Sequence, residues 1–278
     1  MGLTLLQMIQ LIGLKDPLRI DLDWLLEVLT IPHPIYTMMA GNIKISKYCA
    51  SVSQVLSSID LDNPPDGSLL VSLLERGERL DLEFSQWHQG LPEEWMPWRV
   101  LSGTGSPMIL YPDRTSAGVW NYYRSTRIVL QQTMQEISHC IGAPVEGVPP
   151  TLAPGQISML PVPKEIITQM ITEMCQSLPF ALGEVDLFGN PILSVPHMRP
   201  DVRAIQGFAL LWPVFSVPQS EYATEAQAYQ AREALRRIAS THGIRLGMDL
   251  SSETVQLDRV VSSSSSRISN MSPRADSI

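Results

Sequence analysis

The chain has 278 residues, enough for one large domain or two small ones with a substantial core. Its 20 Lys and Arg stand against 28 Asp and Glu, a formal net charge of −8. That balance argues against direct nucleic-acid binding, because phosphate contacts need clustered cationic side chains.

Charged residues make up 17% of the chain, below the usual quarter, so much of the surface is neutral polar, or apolar and covered by a partner. The acids are unevenly spread: nine lie between Asp60 and Glu94, against Arg76 and Arg79. A solvated helix face accounts for this, and a docking surface for a basic partner is the sharper alternative. Cys49, Cys140 and Cys175 are scattered, which gives neither a disulfide framework nor metal-ligand spacing and reads as reduced, core-type thiols. The apolar start, Leu3 to Leu14, lacks the basic residues and small-residue cleavage site of a signal peptide. Leu6 stands where a myristoylation signal needs Ser or Thr. No apolar run approaches the roughly 18 residues of a membrane span; the longest candidate, Phe208 to Phe215, contains Pro213. These features predict a soluble, intracellular protein.

Proline and glycine punctuate the chain. Leu3 to Leu11 has helical spacing and stops at Gly13. Asp21 then reads as an N-cap for a short helix carrying Trp24, Leu25, Val28 and Leu29, ended by Pro32 and Pro34. Ile35 to Ile59 predicts a long helix, with Ile45, Tyr48, Val52, Val55 and Ile59 on one face. Asn63 to Gly67 is a turn, and a helix follows from Ser68 to about Gln89, slightly weakened by Gly77. Leu91 to Pro112, with four prolines, reads as a loop. Asp113 or Thr115 opens the most regular helix, in which Val119, Tyr123, Thr126, Leu130, Met134, Ile137 and Ile141 keep three- and four-residue spacing for six turns. Pro144 to Pro163 is a connection, Lys164 to Leu178 an amphipathic helix, and residues 183 to 200 irregular. Asp201 to Phe215 is apolar on nearly every side beyond Gly207, a pattern that suits a central, buried helix. Thr224 to Thr241 is amphipathic and stops at Gly243, and Ile244 to Leu250 adds a short helix. From Ser251 the apolar period ends, and the Ser-rich stretch 251–278 is expected to be a disordered tail. No segment alternates cleanly with period two, and no repeat of solenoid length is present. The expected fold is all-α, one domain over 1–250 with about seven to nine helices.

No constellation of residues carries obvious chemistry. The five histidines, His33, His88, His139, His197 and His242, show no metal-motif spacing, and adjacent His139 and Cys140 point about 100° apart on a helix. Gly103-Thr104-Gly105-Ser106 lacks the ending of a phosphate-binding loop, and Asp60 and Asp62 beside a Pro-Pro turn read as caps rather than paired catalytic carboxylates. Met8, Met38, Met39, Met134, Met159, Met170, Met174 and Met198 could line an adaptable groove, with core filling the favoured reading. Trp120, Arg124 and Arg127 are the most suggestive group. The arginines are three apart on one helix side beside Trp120, Tyr122 and Tyr123. They could hold an anionic ligand, or pair with acids on neighbouring helices, which is the favoured reading. Catalytic, cofactor-binding and metal sites are all expected to be absent.

Five strings occur in order: Leu91-Pro-Glu-Glu-Trp95, after Arg79, Leu80 and Trp87; Val119-Trp-Asn-Tyr-Tyr-Arg124 with Arg127-Ile128; Met174-Cys-Gln-Ser-Leu-Pro-Phe180 with Leu182-Gly183; Gly207-Phe-Ala-Leu-Leu-Trp-Pro213; and Leu235-Arg-Arg-Ile238 leading to His242-Gly-Ile-Arg245. Together, over roughly residues 68 to 250, they resemble the C-terminal regulatory region of fungal binuclear-zinc-cluster transcription factors. The resemblance implies an all-helical, non-enzymatic regulatory or interaction domain with protein partners of the transcription machinery or a related factor. It implies a nuclear location, with the cytoplasm as the alternative. In that family a six-cysteine cluster binding two zinc ions reads the DNA, and three cysteines cannot build it. The chain is therefore expected to lack autonomous DNA binding, as a truncated paralogue, a gene-model fragment or a free regulatory domain. A small-molecule effector sensor centred on Trp120, Arg124 and Arg127 is the second reading, and an α-helical enzyme the third.

Overall fold

The computed structural model describes residues 33–59, 67–142, 163–192 and 200–252. The first two predicted helices, the 63–67 turn's first residues, the 144–163 connection, most of the Ser-rich tail, Asp60, Asp62, His197, Met8, Met159 and Met198 lie outside them.

The first described helix, α1 (Pro34–Ser57), begins at a proline whose fixed φ suits a first helical turn. The preceding His33 is extended, and its Nδ1 accepts the Ile35 N–H at 3.3 Å. α1 buries Ile45, Tyr48, Cys49 and Val52, the face its three- and four-residue spacing predicts. α2 (Gly67–Ser85) buries Leu70, Leu73 and Phe84, then tightens into a 3-10 turn at Gln86–Gly90 that seats Trp87. A second 3-10 turn, Glu93–Trp95, follows. After the hairpin described below come α3 (Arg114–Gly142), α4 (Pro163–Ala181), α5 (Pro200–Ser216), α6 (Glu225–Thr241) and the short α7 (Leu246–Leu250). The all-α class holds: seven α-helices and one two-stranded sheet make up the described residues.

The long α3 occupies the middle and packs against α1, α2, α4 and α5. Its N-terminus is fixed by Asp113, whose Oδ1 accepts the Ser116 N–H at 2.7 Å. Ile128, Leu130 and Ile137 are fully buried, and so are Asn121, Arg124, Thr126 and Thr133. Burying polar groups on a central helix is costly unless they find partners, so this helix face is where a site is sought. α6 is capped reciprocally: Gln227 N–H donates to Thr224 Oγ1 at 3.2 Å, and Thr224 N–H donates to Gln227 Oε1 at 3.0 Å. One contiguous apolar core runs from Met38 to Leu250. No helix of the described residues is long and apolar enough to cross a membrane.

One expectation fails. Leu91 to Pro112 is not merely a loop: β1 (Trp98–Leu101) and β2 (Pro107–Leu110) pair antiparallel, with Trp98 opposite Leu110 and Leu101 opposite Pro107. Each strand is four residues long and neither alternates, β1 being exposed along nearly its whole length. Met108, Ile109 and Leu110 are all buried because β2 packs against α4, so its signature is an apolar run rather than alternation. Gly103 to Ser106 is the exposed turn of this hairpin, closed by Gly105 at φ +81° and by a Gly105 N–H bond to Ser102 O at 2.8 Å. α4 extends past its expected end at Leu178, through Pro179, while α5 contains Pro213 as expected; each proline lies in the last turn of its helix.

Candidate functional site

The arginine pair of α3 lies at the centre of a ring system. Trp87, Trp120 and Tyr123 stand 5.2 to 5.7 Å apart, centroid to centroid, and Phe84 adds a fourth ring 5.1 Å from Tyr123. Two indole N–H groups fix its edges: Trp87 donates to Pro34 O at 3.1 Å and Trp120 to Trp95 O at 2.9 Å. The 86–97 segment is thereby fastened to α1 and α3.

Arg127 makes a two-pronged pair with Asp81 of α2, Nε and Nη2 each 2.8 Å from a carboxylate oxygen. Its Nη1 donates to Tyr123 Oη at 3.3 Å. Burial opposes the Arg127 charge, but the Asp81 bonds and the Tyr123 hydroxyl outweigh it and raise its pKa. Arg124 is deeper, 1% exposed, and draws on three elements. Its Nε donates to Glu173 of α4 at 3.2 Å, and its Nη1 to Tyr111 Oη at 2.6 Å and Asn121 Oδ1 at 3.2 Å. The guanidinium also lies 5.4 Å from the Trp120 ring centre. Asn121 Oδ1 accepts a second bond, from Ser177 Oγ at 2.9 Å.

Glu173 is the hub. Besides Arg124, it accepts from Arg99 Nη2 at 2.7 Å and from Gln169 Nε2 at 3.1 Å. Burial acts to raise its pKa, but Arg124, Gln169 and Arg99 together outweigh that and hold the carboxyl below its ordinary value. The arginines are therefore paired with acids on neighbouring helices, the arrangement favoured from their spacing. They also line a cavity of about 220 Å³ with His88, Pro97, Arg99, Ile109, Trp120, Tyr123, Gln169, Met170 and Glu173.

Of the other candidates, His88 and Met170 line this cavity, and the rest do not converge on it. Met38, Met134, Met170 and Met174 are core residues at most 5% exposed. His139 is exposed, and Cys140 is half-buried. Cys49 and Cys175 are buried, and burial pushes the Cys175 thiol up to about 12, far from a reactive thiolate. Among the described residues no three His, Cys, Asp or Glu side chains gather where they could hold a metal ion.

Sequence reasoning missed Asp81, Glu173, Tyr111, Arg99 and His88 as members of the cluster. A signal for the two acids existed. Asp81 lies four residues after buried Gly77 and three before buried Phe84; Glu173 lies three residues after Met170, also buried. Both acids stand on inward faces, where a carboxylate needs a cation. Tyr111 and Arg99 carried no such signal, because the hairpin that delivers them was not legible. Comparison of the chain with protein-family models, with curated proteins and with solved structures gives no match.

Proposed function

We propose that this chain is a non-enzymatic regulatory domain of the fungal zinc-cluster transcription-factor type, acting through protein partners rather than on DNA. One observation carries the reading: the five strings that carry the resemblance are packed on one another. Trp95 of the first string accepts the Trp120 indole of the second. Ser177 of the third donates to Asn121 of the second. α5, which holds the fourth, packs on α3, where an added Cβ at Gly118 would lie 3.9 Å from Ala209 Cβ. Gly207 of the fourth faces His242 of the fifth, so closely that a Cβ there would lie 2.6 Å from His242 Cβ. Arg237 of the fifth bonds Glu184, next to Gly183 of the third. Residues that resemble a family's signature while lying far apart in the fold would favour chance; here neighbouring strings are in contact.

The acidic balance of these residues, 28 Asp and Glu against 20 Lys and Arg, supports action through partners rather than on phosphates. The test is to express the tagged full chain in a fungal cell, follow its location, and identify what co-purifies with it. Nuclear enrichment with components of the transcription machinery, or with a zinc-cluster factor, is the expected result. A chain that stays out of the nucleus and brings down no transcription component contradicts the proposal.

A further inference from the structure

The Arg124 cavity has unspent hydrogen-bonding capacity. Glu173 uses Arg124 Nε, and Tyr111 and Asn121 use Nη1, while Nη2 has no acceptor among the described residues. A guanidinium group this deeply buried normally has its donors satisfied. His88 lines the same cavity, and its Nδ1, buried against the protein, also has no partner. The cavity wall therefore carries a guanidinium donor that the protein leaves unanswered, with an imidazole ring on the same lining.

Charge and size narrow what could answer them. Three guanidiniums, Arg99, Arg124 and Arg127, face two carboxylates, Glu173 and Asp81, leaving one positive charge. Single negative charge completes the set; a dianion overfills it beside Glu173. The walls are flat and apolar: Trp120, Tyr123, Pro97, Ile109 and Met170. A volume of 220 Å³ equals that of about seven liquid waters, below the ~300 Å³ at which cofactor and drug-sized sites begin. Nucleotides and large cofactors are too big. A polar groove of about 700 Å³ lies alongside, lined by Lys164, Thr168 and Gln176 among others. Arg99, Gln169 and Glu173 line both spaces, so this bonded trio is the wall between them. Arg99, whose side chain is 63% exposed, is held there by Glu173 and Gln176.

We infer that this cavity is a binding site for a small, flat organic monocarboxylate, its carboxylate held by Arg124 Nη2 and a His88 ring nitrogen and its body laid on Trp120 and Tyr123. The assignment stands on the cavity itself and holds whether or not the chain acts in transcription. Such a ligand gives Arg124 Nη2 the acceptor it lacks and stacks an unsaturated body on aromatic faces.

The test is calorimetric titration of the full chain with benzoate and with sorbate, a flat ring and a flat chain, against benzamide and inorganic phosphate. At least one of the two acids is expected to bind saturably, one per chain, with benzamide at least about tenfold weaker because it lacks the charge. His88→Phe keeps a ring against Trp120 and Tyr123, whose centres lie 6.1 and 6.2 Å from His88, and removes the nitrogens. It is expected to weaken acid binding about tenfold while thermal unfolding stays near that of the parent. Neither acid binding at millimolar concentration overturns the assignment. So does benzamide binding as well as benzoate, phosphate binding in preference to either acid, or unchanged affinity in a folded His88→Phe chain. The comparison of benzoate with benzamide on the unmodified protein decides the charge question even if the variant does not fold.

Discussion

At the residue scale, the buried charges decide more than the apolar groups around them. Asp81 and Arg127 are each less than one-fifth exposed, so neither charge is well solvated alone. Asp81→Ala is expected to cost about 3 kcal/mol in urea denaturation, most of it the penalty of leaving Arg127 unpaired. Asp81→Leu combined with Arg127→Met is expected to recover most of that loss, since an apolar pair of similar volume incurs no such penalty. Glu173 makes a separate, pH-dependent contribution. Its folded pKa lies below the ~4.3 of an unfolded glutamate, so its stabilising effect is complete above that pH and is lost as pH falls through the folded value. Glu173→Gln is therefore expected to be less stable than the parent at pH 7, with the two converging as pH drops below about 4. Denaturation midpoints measured from pH 7 to pH 3 check this; a gap that widens with acid contradicts it.

At the element scale, the long amphipathic helices were legible because they carry an apolar period: the six turns of α3 and the inward face of α1 stand where spacing put them. The hairpin was not legible. Its strands are short, one is buried as a run, and its pairing depends on α4, more than fifty residues further along the chain. Helix glycines illustrate the same division between local and tertiary information. By propensity alone, Gly→Ala in a helix interior should stabilise by nearly 1 kcal/mol. At Gly77 of α2, however, an added Cβ would lie 2.5 Å from Tyr48 Oη and 2.8 Å from Met134 Sδ. Tyr48 is rigidly held, donating to Leu73 O at 3.0 Å, so it cannot retreat cheaply. Gly77→Ala is expected to destabilise by about 1–3 kcal/mol through overpacking. At Gly118 of α3 the nearest atom is Ala209 Cβ at 3.9 Å, ordinary contact, and Gly118→Ala is expected to stabilise by about 0.5 kcal/mol. Thermal or urea unfolding of the two variants should move in opposite directions; a shared direction would show that the approach of α2 to α1 and α3 is misjudged.

At the scale of the whole molecule, α3 is the shared support for α1, α2, α4 and α5, and its polar residues tie those helices together. Arg127 reaches α2 and Arg124 reaches α4, while Asn121 meets Ser177 of α4. This explains why the candidate site could be half read from the sequence. The cations announce themselves as an i, i+3 pair among aromatics, but their partners come from segments 46 and 49 residues away, which no local pattern connects. Segments spread over some 150 residues thereby meet around one helix. The proposed role asks for such a frame, since a domain that presents a surface to partners must hold its shape. The direct measurement is to fuse the full chain to an unrelated DNA-binding module and place it upstream of a reporter gene in a fungal cell. A regulatory domain predicts that reporter output departs clearly from that of the DNA-binding module alone, upward or downward, and that Asp81→Ala, which loosens the core, weakens the effect. Output indistinguishable from the module alone, with the fusion folded and bound at the promoter, contradicts the regulatory role.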